Sequence, residues 1–327
     1  MVLSAKINLP GLPNTIQAWD CSADLPDKAK NLVVAIGNFD GVHLGHQAVI
    51  AAAQRQAHEM NVELGILTFS PNPRQFFQPE APPSELTPLH VRARYLSLLG
   101  VQHLYVQKFD LEFSQREAGQ FVENILMRQL QVRHVVVGEN FHYGHQRLGN
   151  VDSLVEQSAE LGFGVTPVSP TRMADGQIYS SSSVREYLKA GDPQGARQIL
   201  GRSFEVEGVV EHGDELAREW GFPTANLQLG DYLRPKYGVY AVRAAIAGVA
   251  EPQWHDGVAN LGVRPTFRGG KELLEAHLFN FNRDLYDQRL RVQLLHYLRP
   301  EKKFGAVEDL RHQIVEDAKI ARAKLRQ

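Results

Sequence analysis

The sequence predicts two unlike domains: an α/β domain on an open parallel sheet, then an antiparallel all-β domain closed by a C-terminal helix. Three observations carry that reading. The chain has 327 residues, and at about 150 residues per domain that length suits two. Its first half alternates β-branched apolar runs with stretches of helical spacing, the pattern of repeated β–α units. Near residue 200 the texture changes to short strand-like runs separated by turn residues.

The elements follow in order. Residues 31–37 (NLVVAIG) form an apolar run suited to a buried parallel strand. Residues 45–60 are Ala-rich with helical spacing, 62–69 (VELGILTF) form a second strand, and 91–99 read as helix. A third strand over 101–107, a helix over 116–130 and a fourth strand over 132–138 (VRHVVVG) continue the alternation. Helix over 153–161 and strand over 164–168 complete it. Two short helices, 183–190 and 192–200, form a connector, and the domain boundary is expected within 185–201. Beyond it, runs at 204–211, 239–246, 254–261, 273–279 and 291–298 suggest an antiparallel sheet or small barrel. A charged amphipathic helix over 307–325 ends the pattern.

Composition narrows the function classes. Hydrophobic residues are 43% and charged residues 22%, so each half has the means to bury a core and disorder is excluded as the main state. Lys and Arg total 35 against 37 Asp and Glu. Such a balance provides no overall field for a general nucleic-acid binder, so any anion site must be built locally. The single cysteine, Cys21, excludes an intramolecular disulfide and zinc-type Cys/His spacing, and is expected as a spare loop thiol. Residues 1–13 lack a secretory pattern, and no apolar run is long enough to span a membrane. The expected location is the cytoplasm.

The sharpest local feature is Gly37-Asn38-Phe39-Asp40-Gly41-Val42-His43-Leu44-Gly45-His46, between the first strand and its helix. Strand C-termini are where α/β sheets place ligands, and a helix N-terminus offers N–H groups and a positive dipole end to phosphate. Gly41 and Gly45 permit close backbone approach. His43 and His46, three apart, are able to face one anion. A metal-binding His pair or two unrelated surface imidazoles are the alternatives, and the strand, helix and glycines together favour phosphate. No Gly-Lys-Ser/Thr follows, which excludes a P-loop.

The run resembles the HxGH motif of the nucleotidyltransferase superfamily, in the form used by bacterial FAD synthetases. Three further stretches resemble that family in order: Thr68-Phe69-Ser70-Pro71-Asn72-Pro73, Gly138-Glu139-Asn140-Phe141-His142-Tyr143-Gly144, and Tyr179-Ser180-Ser181-Ser182-Ser183-Val184-Arg185. The resemblance implies a Rossmann-like parallel-sheet domain that moves the adenylyl group of ATP onto FMN. It implies catalytic roles for His43, His46 and Arg185, with Gly37, Phe39, Asp40, Gly45, Asn72, Asn140, Ser181 and Ser182 binding flavin or nucleotide. Arg185 is a fixed cation for triphosphate oxygens, and the serines supply helix caps or hydroxyl donors.

The second cluster is Gly221-Phe222-Pro223-Thr224-Ala225-Asn226-Leu227. Thr224 and Asn226 alternate in an extended segment and project to one side, where a hydroxyl and a carboxamide oxygen suit a hard cation such as Mg²⁺. With Asn260-Leu261-Gly262-Val263-Arg264-Pro265-Thr266-Phe267, Glu275-Ala276-His277-Leu278, Asp284-Leu285-Tyr286 and the 298–304 run ahead of Gln313 and Asp317, it resembles riboflavin kinase. That resemblance implies an antiparallel β-barrel kinase domain with a C-terminal helix. Thr224 and Asn226 would hold Mg²⁺, Arg218, Gly221 and Pro223 would bind nucleotide, and Glu275 would be the base. One departure stands out: where the family carries Gly-x-Gly-Arg, this chain has Glu215-Leu216-Ala217-Arg218.

Together the resemblances imply domains at 1–186 and 187–327. They imply that the chain makes FMN from riboflavin and then FAD, using ATP, with small molecules as its partners and neither nucleic acid nor membrane. Two other readings stay open on sequence alone: an adenylyltransferase whose kinase domain only binds flavin, and a flavin or nucleotide sensor without turnover.

Overall fold

The computed structural model describes residues 5–212, 223–249, 251–264 and 271–327. The chain divides into two compact units: one reaches Ser180 apart from Pro83–Leu86, and the other takes Pro83–Leu86 with Ser181–Gln327.

The first unit carries a seven-stranded sheet of β1 (Lys6–Ile7), β2 (Gln17–Asp20), β3 (Val33–Ile36), β4 (Leu64–Ser70), β5 (His103–Lys108), β6 (His134–Gly138) and β7 (Gly164–Val168). Their spatial order is β1-β2-β5-β4-β3-β6-β7. Every pairing is parallel except β1 with β2. All four residues of β3 are buried, as a strand covered on both faces requires. Sequence periodicity missed β1 and β2, which are too short to show a period; pairing of Gln17–Asp20 with β5 makes them strands.

Helix α1 (Leu44–Met60) buries Ile50, Ala52, Ala53 and Ala57, and ends at Asn61 in the left-handed region (φ 50°). A short α2 (Pro73–Phe77) and α3 (Leu89–Leu98) follow β4. After a short α4 (Leu111–Ser114), the helix expected over 116–130 is present as α5 (Ala118–Gln120) running directly into a π-helical segment, Phe121–Gln129. In that segment Leu130 N–H donates five residues back to Ile125 O at 3.0 Å, and Phe121, Val122, Ile125 and Leu126 are all buried. Helix α6 (Val151–Leu161) is closed at both ends, by an Asn150–Ser153 capping box and by Gly162. Cys21 lies in the turn after β2, as expected of a loop thiol, but it is buried in this core, and desolvation together with the Asp20 carboxylate pushes its pKa well up.

The second unit begins with α7 (Ser181–Ala190) and α8 (Pro193–Leu200). Six strands then close a barrel: β8 (Phe204–Glu211), β9 (Ala225–Gln228), β10 (Gly238–Ile246), β11 (His255–Arg264), β12 (Lys271–Leu278) and β13 (Arg289–Arg299). They neighbour one another as β10-β11-β12-β9-β8-β13, with every pairing antiparallel. Closure leaves no exposed sheet edge. The C-terminal helix, Val307–Leu325, lays Ala321 and Leu325 on Val239, Ala241 and Val258. The alternate residues Tyr240 and Val242 therefore face the barrel interior, where both are buried. Arg299 of β13 pins the helix through two hydrogen bonds to Asp317, at 2.8 and 2.6 Å, and Gln313, one turn earlier on the same helix, donates to the Asp317 carboxylate at 3.0 Å. No described helix is long and apolar enough to cross a membrane.

Candidate active sites

Because β3, β4 and β6 run parallel, the segments leaving them open at one edge of the sheet. Strand order turns back at β3, with β4 on one side and β6 on the other. A crevice at such a reversal is the usual ligand position in an open α/β sheet. The turn of residues 37–43 leaves β3 there, Asn72 follows β4, and residues 139–144 follow β6.

His43 caps α1, its Nδ1 accepting the His46 N–H at 3.3 Å. That acceptance places the neutral ring's proton on Nε2, a donor at the helix N-terminus. The two imidazoles stack with centroids 3.6 Å apart and planes inclined 22°, and the Phe39 ring lies 5.2 Å from His46. A Cβ on Gly45 would stand 3.1 Å from the His43 ring and from the Tyr179 carbonyl. Glycine there lets the backbone lie against both.

The turn itself is strained. Phe39 (φ 48°) and Val42 (φ 41°) join Gly41 (φ 85°) in the left-handed region, at a cost of about 1–3 kcal/mol for each non-glycine residue. A buried network holds it. Asp40 accepts hydrogen bonds from Thr87 N (2.9 Å) and Thr87 Oγ1 (3.2 Å), and Thr87 Oγ1 accepts the Gly41 N–H (2.8 Å). Arg92 donates to Thr68 Oγ1 (3.2 Å) and Thr87 O (3.1 Å), and lies 3.9 Å from the Asp40 carboxylate. Thr68 Oγ1 donates to Asn38 O at 3.2 Å. Sequence reasoning missed Arg92 and Thr87, because their part depends on long-range pairing that no local pattern encodes.

Asn72 spends its carboxamide oxygen capping α2, accepting from Arg74 N at 3.0 Å, which leaves its NH₂ as the donor. Asn140 is exposed in the turn after β6. Phe76 and Phe77 of α2 form an edge-to-face cluster with Phe109, with centroids 5.1–5.8 Å apart and Phe77 65% exposed. A solvent-facing aromatic platform beside Asn72 is the second feature the sequence reading missed; three phenylalanines just past strand ends were the available signal.

In the second unit Ser181 and Ser182 open α7, and Arg185 Nε donates to Ser84 O at 2.8 Å. The barrel register sets the other candidates side by side. Glu275 of β12 is the direct cross-strand partner of Asn226 on one side and of Asn260 on the other, and Asn260 pairs with Val239. Direct partners share a face, and Val239 packs under the C-terminal helix. The Asn226–Glu275–Asn260 row therefore lies on the outer face of the barrel. Asn260, part of the 260–267 motif, is a further residue to which the sequence reading assigned no role.

Asn226 is buried, and its Oδ1 has no hydrogen-bond partner among the described residues. A buried carboxamide oxygen without a donor suits a hard cation. Thr224, half-buried, precedes β9 by one residue. Pro223 O accepts a hydrogen bond from His277 Nδ1 at 2.9 Å, tying the start of this segment to the strand that carries Glu275. Burial lowers the His277 pKa, a trend Arg322 reinforces and the Pro223 bond opposes, so the imidazole is neutral near pH 7. Arg218, Gly221 and the altered 215–218 stretch lie outside the described residues.

The sequence pattern of the FAD synthetase family matches residues 25–182, and that of riboflavin kinase matches residues 200–325. The chain is 41% identical over 301 residues to the bifunctional riboflavin kinase/FMN adenylyltransferase of Pseudomonas fluorescens, covering 92% of this chain and 95% of that one. It is 38% identical over 290 residues to the protein of the same name from Haemophilus influenzae, covering 89% and 93%. A crystal structure of a macrolide-efflux protein from Streptococcus pneumoniae superposes with a TM-score of 0.80 at 27% identity, over 93% of this chain and 98% of the other.

Proposed function

The chain belongs to the bifunctional riboflavin kinase/FMN adenylyltransferase family, and we propose that it carries out the two successive steps of flavin cofactor synthesis. Riboflavin is first phosphorylated by ATP to FMN. FMN then receives the adenylyl group of a second ATP, giving FAD and pyrophosphate. By their motifs, the adenylyl transfer is assigned to residues 1–186 and the kinase reaction to residues 187–327.

The observation that carries this reading is that one chain holds two separate arrangements suited to phosphate chemistry. These are the stacked His43–His46 pair at a helix N-terminus and the Asn226–Glu275–Asn260 row on a barrel. In the first, an FMN phosphate oxygen attacks the α-phosphorus, and the bond to pyrophosphate breaks. No covalent enzyme intermediate is needed, so the protein's work is positioning and charge stabilisation. His43 Nε2–H, His46 and the α1 N-terminus donate to the phosphate oxygens. The exposed Phe77 face and the Asn72 NH₂ suit a flavin ring.

In the second, Glu275 takes the proton of the ribityl 5′-hydroxyl as that oxygen attacks the γ-phosphorus, and ADP leaves. Thr224 and Asn226 would hold Mg²⁺ through neutral oxygens, and a bound Mg²⁺ supplies charge neutralisation on the ATP phosphates. The same reading has the enzyme act in the cytoplasm on small molecules, with neither nucleic acid nor membrane as a partner; the near-balanced charge supports it.

Incubation of the pure protein with riboflavin, ATP and Mg²⁺, followed by separation of the flavins, tests the proposal. FMN and then FAD are expected. FAD formed only from added FMN would remove the kinase half of the reading, and no conversion of either flavin would remove both.

A further inference from the structure

We propose that Arg92 is a positioning residue for adenylyl transfer, holding the turn of residues 38–42 in the left-handed conformation that presents His43, His46 and the α1 N-terminus. The inference rests on the reading of the first unit given above. Arg92 is 2% exposed, as is Asp40, while Thr87 is 3% and Thr68 0%. A side chain so enclosed acts through other residues and not on substrate.

From α3 its guanidinium reaches both anchors of the turn. One arm donates to Thr68 Oγ1, which itself donates to Asn38 O; the other donates to Thr87 O beside the Asp40 carboxylate. Thr87 in turn bonds Asp40 and the Gly41 N–H. Asn38, Asp40 and Gly41, three of the four residues before Val42, are thereby tied to the end of β4 and the entry to α3. Left-handed Phe39 and Val42 persist only where the surroundings over-determine them, and this network fixes Asn38, Asp40 and Gly41 around and between them. A planar fork is required, because a point charge on Asp40 alone would leave Thr68 and Thr87 O unserved.

The test uses the full chain carrying Arg92→Met, Arg92→Lys or Thr87→Val, with riboflavin phosphorylation by the same preparation as an internal standard. Arg92→Met and Thr87→Val are expected to lower kcat for FMN adenylylation, the former by about 10²-fold, the cost of an ångström-scale misplacement. KM for FMN and riboflavin phosphorylation should stay unchanged. Arg92→Lys should recover part of the lost kcat, since it restores the charge beside Asp40. Normal FAD formation by both Arg92→Met and Thr87→Val overturns the inference alone. Parallel loss of both activities in these variants overturns it too, by making Arg92 a general stabiliser. An unsubstituted chain that makes no FAD from FMN overturns the parent reading and this inference with it.

Discussion

Glu275 and Asn226, far apart in sequence, are direct cross-strand partners in the barrel. Pairing of this kind brings Cβ atoms to about 5 Å on a common face. The carboxylate that would deprotonate riboflavin thus stands beside the carboxamide that would hold the cation on ATP. In the proposed kinase reaction, nucleophile and phosphoryl donor would meet where β12 lies against β9.

Replacing the carboxylate while keeping its shape tests the first half of that relationship. Glu275→Gln is expected to lower riboflavin phosphorylation by about 10²–10⁴-fold, the usual worth of a general base, while FAD formation from supplied FMN persists. Flavin separation after parallel incubations with riboflavin and with FMN reads both activities. Normal phosphorylation would assign the base elsewhere.

Asn226→Leu removes a buried oxygen that has no partner among the described residues. Taking away an unsatisfied polar atom relieves a desolvation penalty of about 1–3 kcal/mol, so the thermal midpoint should hold or rise. Riboflavin phosphorylation should nonetheless demand more Mg²⁺. A variant with lowered stability and an unchanged Mg²⁺ titration would contradict the assignment.

His46→Ala should reduce FAD formation from FMN by orders of magnitude and leave riboflavin phosphorylation intact. Gly45→Ala should act in the same direction, because its new Cβ would press on the His43 ring and the Tyr179 carbonyl at 3.1 Å. Initial rates for both reactions, measured on each variant, check this. Near-normal adenylylation by a well-folded His46→Ala protein would remove the histidine pair from the chemistry.

Stability should fall on the acid side. Burial lowers the pKa of His103, His134, His277 and His296 below the ordinary 6.5. In His103 burial outweighs the opposing Glu63 carboxylate, and in the neutral ring Nδ1 accepts the Trp19 indole N–H at 2.9 Å while Nε2–H donates to Glu63 at 2.6 Å. Below pH 6.5 the unfolded chain binds protons that these folded imidazoles refuse. The stabilisation is therefore complete above that value and is lost as pH drops from it towards the lower folded pKa values. Thermal unfolding followed above and below pH 6.5 should show a lower midpoint in acid; a flat profile would mean these rings titrate normally.

Much of the architecture is legible in the sequence. The alternation of residues 31–168 predicted the parallel sheet, because buried strands and Ala-rich helices have different hydrophobic periods. Motif order carried the candidate site residues, since a glycine turn before a helix and a Pro-Thr-x-Asn segment are local patterns. Short β1 and β2 escaped because two to four residues show no period, and the π-helical segment escaped because its sequence pattern is that of an ordinary helix.

By itself the sequence determined the order of the two domains and the motifs from which the phosphate-binding residues are proposed. Only the tertiary structure decided which of them are neighbours. Barrel register joined Asn226, Glu275 and Asn260, and burial showed Asp40 turned into a network with Arg92 and Thr87. The physical reason is the range of the interactions. Periodicity, caps and turns are set by residues a few positions apart, whereas strand register and buried ion pairs join residues tens of positions apart, and they form only when the whole core closes.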